Sequence, residues 1–115
     1  MKRGDVFWAD LAPRSGSEQT RRRPVIVVSH DAFSQTPAWR SVIVVPVSTS
    51  KSQARRSPTT VPLPGGAGAL LKPSVAICHQ VTTLDRAKLS QQIGTLPAES
   101  LRAVEEGLKA ALDLE

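Results

Sequence analysis

Ser41-Val42-Ile43-Val44-Val45-Pro46-Val47-Ser48 is the strongest strand signal in the chain, a run of β-branched residues of the kind that packs well on a pleated surface. Pro46 donates no ladder hydrogen bond, so Val45-Pro46 is expected at an edge, a bulge or a strand exit, with local pairing loosened there. Just beyond it, Ser48-Thr49-Ser50 would project hydroxyls from a strand end into the basic stretch Lys51-Ser52-Gln53-Ala54-Arg55-Arg56. Upstream, Pro24-Val25-Ile26-Val27-Val28-Ser29 is almost continuously apolar with proline at the entry position, the pattern of a strand buried on both faces. Asp5-Val6-Phe7-Trp8-Ala9-Asp10-Leu11 reads as a first strand ending at Ala12-Pro13. Between these two strands, residues 13–22 carry no hydrophobic periodicity and read as a long polar loop of the kind that serves a site.

Further along, residues 30–39 form a turn-rich connection, and Thr59-Thr60-Val61-Pro62-Leu63 a short strand. Pro64-Gly65-Gly66-Ala67-Gly68 is a turn through positive φ. A strand is expected from about Ser74 to Val81, one helical turn over residues 85–89, and a last short strand over residues 92–95. From Pro97 the period changes: Leu101, Val104, Leu108, Ala111 and Leu112 fall on one helical stripe, with Pro97 near the first turn and Glu99 near the positive end of the helix dipole. Five to seven short strands closed by one helix predict a mainly β fold with α, a small, curved, mainly antiparallel barrel.

The chain has 115 residues, 40% hydrophobic and 22% charged, which fits a single domain over 1–115 and leaves no room for two. A domain of this size hides roughly two-thirds of its extended-chain surface, enough for a core without metal or disulfide staples. The one cysteine, Cys78, ends the apolar run Val75-Ala76-Ile77-Cys78 and cannot close an intrachain bridge, which points to a reducing compartment. No apolar segment follows Met1-Lys2-Arg3-Gly4-Asp5 and no stretch is long enough to cross a bilayer, so a cytoplasmic protein with no membrane partner is expected. Charge is uneven: residues 1–72 carry 11 Lys/Arg against 4 Asp/Glu, whereas residues 73–115 carry 4 against 6. No carboxylate lies between Asp31 and Asp85, while Arg40, Lys51, Arg55, Arg56 and Lys72 fall in that interval and Arg21-Arg22-Arg23 just before it. A polyanionic partner follows from that bias, with a solvated basic surface as the bland alternative.

Several chemistries have no local signature. His30 and His79 are far apart, no H-x-x-x-H or C-x-x-C occurs, and a P-loop, a dinucleotide fingerprint and a nucleophile elbow are all missing. What remains is arginine beside hydroxyls. A guanidinium offers planar donors matched to phosphate oxygens and stabilises charge that builds on phosphorus. Arg23 stands immediately before the proline-started strand, on anchored backbone suited to catalysis, whereas Arg21 and Arg22 fall in the loop and suit steering. Ser48, Thr49 and Ser50 are also ordinary turn formers, His30 and His79 are either proton-transfer groups or structural hydrogen-bonders, and Phe33 and Trp39 either stack on bases or cover the barrel, with core use favoured.

Arg3-Gly4-Asp5-Val6-Phe7-Trp8-Ala9-Asp10-Leu11, then Gly16-Ser17-Glu18-Gln19, then Arg23-Pro24-Val25, then Val44-Val45-Pro46-Val47-Ser48-Thr49-Ser50 together resemble the MazF/PemK family of toxin endoribonucleases, and the match runs through Gln80 and Leu84 to the terminal helix. The resemblance implies an SH3-like barrel of the CcdB/PemK type, a homodimer, and cofactor-free, metal-independent cleavage of single-stranded RNA at short sequence motifs. It also implies a cognate antitoxin whose acidic tail lies in the RNA groove. Carried over by position, Arg23 and Ser48 are the catalytic pair, with Thr49 next to Ser48 as the other candidate hydroxyl. Glu18, Gln19, Arg21, Arg22, Thr49 and Gln80 are the substrate-binding set. Three positions depart from the family pattern: Ser48 stands where threonine is usual, His79 where an acidic residue precedes the glutamine, and Thr82 where a basic residue follows it. The implied reaction is attack of the RNA's own 2′-hydroxyl on the adjacent phosphorus, giving a 2′,3′-cyclic phosphate and a 5′-hydroxyl. A guanidinium keeps its proton to above about pH 12, so Glu18 or His79 are alternatives to Arg23 for moving the proton. Two other readings share the barrel: a non-catalytic DNA gyrase poison of the CcdB type, whose terminal tryptophan has no counterpart in Leu112-Asp113-Leu114-Glu115, and a plain nucleic-acid-binding barrel.

Overall fold

The computed structural model describes residues 1–11, 21–50, 52, 55 and 57–115, with Arg21 as backbone alone. Among the described residues, seven strands form one antiparallel sheet: β1 (Asp5–Leu11), β2 (Arg21–Val27), β3 (Ser41–Ser48), β4 (Thr60–Leu63), β5 (Ser74–Ile77), β6 (Thr82–Asp85) and β7 (Leu89–Thr95). A one-turn helix, α1 (Asp31–Ser34), links β2 to β3, and α2 (Ala98–Leu112) closes the chain. The sheet order is β4-β5-β3-β2-β1-β7, with β6 also on β3. The chain is mainly β with a C-terminal helix, as its patterning predicts.

Strand β3 is the hub because both of its faces are apolar. Val45 and Val47 join Val6, Ile26, Val61, Leu63, Ala76, Cys78 and Val104 in one core, while Val42 and Val44 join Ala9, Val25 and Val27 in a second on the opposite side. That two-sided burial is what the unbroken apolar runs of β2 and β3 encode. Pro46 sits inside the sheet rather than at its edge, paired with Val25. The Val28 N–H donates to the Ile43 carbonyl, so odd residues of β3 turn their backbone groups to β2 and the Pro46 nitrogen turns the other way. On that side the partner changes, from β6 over Ser41–Val44 to β5 over Val47–Ser48, so the missing donor falls at a break in the ladder.

Several boundaries differ from the sequence reading. β2 begins at Arg21, because Arg21, Arg22 and Arg23 pair with Leu11, Asp10 and Ala9 of β1; the arginine triplet is strand, not loop. β5 stops at Ile77, and Cys78–Gln80 make a 3₁₀ turn where strand was expected to run on to Val81. β6 is an additional strand, polar except for Leu84, which packs on the second core, and it is held by its pairing to β3. β7 starts three residues early, at Leu89. The expected turn after Asp85 is present as a 3₁₀ turn over Arg86–Lys88 whose Ala87 N–H donates to the Asp85 carboxylate. That bond first, and the Arg40 guanidinium after it, hold the Asp85 carboxyl below the usual carboxylate range.

The helix stripe is borne out over most of its length. Val104 is fully buried, and Leu108 and Ala111 pack on the core, but Leu112 is 52% exposed where the last turn runs past the sheet. Gly107 lies so close to the sheet that a Cβ there would stand 2.7 Å from both Cys78 Sγ and Val61 Cγ2. Arg3 ties sheet to helix, donating to the Val28 carbonyl and pairing with Glu105 at 2.6 Å. Phe33 and Trp39, favoured as cover for the core, are instead about half-exposed and stack on each other with centroids 4.7 Å apart. Arg86 occupies the ground beneath them, donating to the carbonyls of Phe33, Thr36 and Trp39, so the connection satisfies its own backbone without entering the core.

Candidate active site

The polar ends of β2, β3 and β5 meet at one groove of about 310 Å³, lined by Arg22, Arg23, Pro24, Val47, Ser48, Thr49 and Ser74. Its geometry follows from the register. The β2–β3 ladder is paired as far as Val25–Pro46, and Arg23 and Ser48 each lie two residues beyond that pair, at the strand ends that line the groove. Side chains two apart on a strand share a face, which puts both residues on the side of Val25 and Val44. Apolar packing over Val25–Val27 and Val42–Val45 thus fixes the backbone from which a cation and a hydroxyl emerge.

Ser48 and Thr49 differ in how they are held. Ser48 is the last residue of β3, half-buried, and its Oγ accepts a hydrogen bond from the Ser50 N–H at 3.0 Å, while Thr49 is exposed beyond the strand. The expectation that such hydroxyls bond nearby backbone is met at Ser48, yet the bond consumes a lone pair and leaves the hydroxyl hydrogen free to donate. Ser50 in turn shares a hydrogen bond with Ser52 at 2.9 Å.

Arg22 is not a free steering charge. Its guanidinium lies over the Trp8 ring, 5.1 Å from the centroid, and reaches Ser90 Oγ at 3.4 Å. Arg22 thus braces β1 and β7 from the edge of the groove that Arg23 and Ser48 also line. Arg21 belongs to β2 but its side chain lies outside the described residues, as do Glu18 and Gln19 and, in the basic stretch after β3, Lys51, Gln53, Ala54 and Arg56. Gln80 is exposed on the turn at the other end of β5 and is not among the residues lining the groove. His79, on the same turn, shares a hydrogen bond with Thr59 Oγ1 at 2.8 Å through its Nδ1. His30 caps α1, its Nδ1 accepting from the Ala32 N–H at 2.9 Å, which is the structural alternative for that residue. Ser74 lines the groove and did not stand out in the sequence, since nothing local marks the first residue of a four-residue strand as adjacent to residue 49.

Among the described residues no three His, Cys, Asp or Glu side chains stand together as a metal-binding group. The groove's chemistry is that of hydrogen-bond donors gathered at one point, suited to binding an anion and to stabilising negative charge as it grows.

Residues 2–112 match the family model described as PemK-like, MazF-like toxin of type II toxin-antitoxin system. Endoribonuclease MazF6 of Mycobacterium tuberculosis is 32% identical over 114 residues, covering 99% of this chain and 98% of that protein. The solved structure of Mycobacterium tuberculosis toxin MazF-mt6 superposes with a TM-score of 0.78 at 28% identity, covering 96% of this chain and 98% of the other. A MazE-MazF structure from Deinococcus radiodurans gives 0.75 at 26% identity, over 100% and 97%. The match along nearly the whole length, in sequence and in fold, places this chain in the PemK/MazF toxin family of type II toxin-antitoxin systems.

Proposed function

We propose that this chain is the toxin endoribonuclease of a toxin-antitoxin pair, cutting single-stranded RNA by internal attack of a 2′-hydroxyl on the adjacent phosphorus. The observation that supports the reading is that Arg23 and Ser48, each two residues past the last β2–β3 pair, line one groove open to solvent. The 2′-oxygen forms a bond to phosphorus, the bond to the 5′-oxygen breaks, and the products are a 2′,3′-cyclic phosphate and a 5′-hydroxyl. The 2′-hydroxyl proton is taken up and a proton is delivered to the 5′-oxygen. Arg23 stabilises the charge on the phosphorane oxygens, and Ser48 donates its free hydroxyl hydrogen to the same phosphate. Ser48 is favoured over Thr49 because its backbone is held in the ladder with β5. His79 lies on the turn at the far end of β5, and Glu18 is the other alternative for accepting the proton. Gln80 contacts nucleotides beyond the groove.

The protein acts in the cytoplasm as a homodimer, and the basic excess of residues 1–72 attracts RNA and the acidic tail of an antitoxin to the same place. Among the described residues no helix is long and apolar enough to cross a membrane. Antitoxin affinity is expected to fall steadily as salt rises, and an affinity flat across a salt series would remove the electrostatic basis for competition. The nuclease reading is tested by incubating the protein with RNA in EDTA beside the same RNA carrying 2′-deoxy residues at the cut sites. Cleavage of the first and none of the second is expected. Equal cleavage of both, or none of either, refutes the mechanism, and a gyrase poison or a passive binder gives the latter. Neither of those alternatives calls for a cation fixed against a hydroxyl.

A further inference from the structure

The nuclease reading leaves one wall of the groove without a task, and we propose that Ser74 recognises the exocyclic amino group of a base beside the cleaved phosphodiester. The inference rests on that reading. Ser74 opens β5, half-buried, and lines the groove with Arg23 and Ser48. Ser48 pairs with Val75, so one further step along the register sets Ser74 opposite Thr49. On its other side Ser74 pairs with Leu63 of β4, and Pro73 precedes it, so its backbone is held along that edge.

The two groove serines are in opposite hydrogen-bonding states. Ser48 Oγ accepts from a backbone N–H and keeps its hydrogen to give. Ser74 Oγ donates to the Lys72 carbonyl at 2.9 Å, and because a carbonyl only accepts, the Ser74 hydrogen is committed and its lone pairs face outward. The neighbouring guanidiniums of Arg22 and Arg23 are donors only. Ser74 is therefore a fixed acceptor beside a cluster of donors. A phosphodiester has no hydrogen to offer it. The bases do, through the ring N–H groups of guanine and uracil and through the exocyclic amino groups of adenine, cytosine and guanine; the amino groups reach furthest from the ring and, unlike the 2′-hydroxyl that every ribonucleotide carries, set those three bases apart from uracil.

The test begins by mapping the ends produced by the wild-type chain on a long mixed RNA. In the motif so found, each amino-bearing base is then replaced by its deamino analogue: purine riboside for adenosine, inosine for guanosine, 2-pyrimidinone riboside for cytidine. kcat and KM are measured for wild type, Ser74→Ala and Ser74→Thr, with a thermal melt confirming that each is folded. One replacement is expected to cost the wild type roughly two- to tenfold in kcat/KM, carried mainly by KM. Ser74→Ala should show that loss on the unmodified RNA and no further loss on that analogue, whereas Ser74→Thr, which keeps the hydroxyl, should discriminate as the wild type does. If every analogue costs Ser74→Ala what it costs the wild type, or if the motif contains only uridines, the role of Ser74 is refuted while RNA cleavage stands. A wild type that cuts no RNA removes the nuclease reading and this role together.

Discussion

The same two strands build the driest and the most polar parts of the molecule. Over Val25–Val27 and Val44–Val45, β2 and β3 are sealed on both faces by apolar side chains. A few residues further along, the same ladder ends in Arg22, Arg23, Ser48 and Thr49 around an open groove. The dry part can specify position without chemistry, and the wet part has chemistry that cannot hold its own position, since its side chains face water and bond mostly to nearby backbone or to one another. The contrast teaches that function here is borrowed rigidity: losses in the groove should appear as activity without stability, and losses in the core as stability without activity per folded molecule.

The sharpest way to break that contrast is Arg23→Ala. Removing a preorganised donor aimed at developing charge lowers kcat by about 10²–10³. Because Arg23 is partly exposed, the thermal midpoint should shift by no more than about 3 °C. Single-turnover cleavage and a melt of the same preparation decide the matter. A variant that cuts at wild-type rate removes Arg23 from the chemistry, and one that loses activity only because it unfolds shows that the groove is not separable from the core.

The opposite substitution is Gly107→Ala. The added methyl meets Cys78 Sγ and Val61 Cγ2, both in the dry core, so helix and sheet must part. The expected cost is about 1–3 kcal/mol, read as a lower midpoint in urea, with cleavage per folded molecule unchanged at low temperature. Cys78 gives the same region a pH dependence. Burial pushes its thiol up from 9.0 to about 11. The folded chain therefore holds a proton that the unfolded chain gives up first, so this contribution is complete below pH 9 and lost as pH climbs toward 11. The unfolding free energy from urea titrations should fall between pH 8 and 10 by about 1 kcal/mol in the wild type, and Cys78→Ala should flatten that part of the slope.

The same contrast explains what the sequence discloses. β3 is legible to the residue, because a run of β-branched residues, with Val44, Val45 and Val47 buried on both faces, announces a strand without help from its neighbours. β6 is not, because four residues with a single apolar side chain carry no clear pattern of their own and become strand by pairing with Ser41–Val44. Residues 78–80 mislead for the converse reason: the apolar run through Cys78 looks like continuing strand, but its burial is against α2. In the groove, Arg23 and Ser48 were legible as types beside Pro24 and Pro46, and the family likeness assigned their roles. Ser74 was not, since its place depends on the β3–β5 register, and the grip of Trp8 on Arg22 depends on the β1–β2 register.

Arg22 straddles the two regions and gives the smallest effect. It lines the groove, yet its guanidinium rests on Trp8 and touches Ser90, so it is part brace and part charge. Replacing it with alanine removes a surface cation–π contact of about 0.5–1 kcal/mol and one positive charge from the RNA path. Both losses should be visible at once: a slightly lower urea midpoint, and a slope of log affinity against log salt for uncleavable 2′-deoxy-substituted RNA that is shallower by roughly 0.7. Arg22→Lys keeps the charge but not the planar contact, so it should restore the salt slope while leaving the midpoint low. If lysine restores stability too, the Trp8 contact is incidental and Arg22 is simply another groove cation. If alanine leaves the salt slope untouched, Arg22 belongs wholly to the scaffold, and the boundary between dry wall and wet site falls between residues 22 and 23.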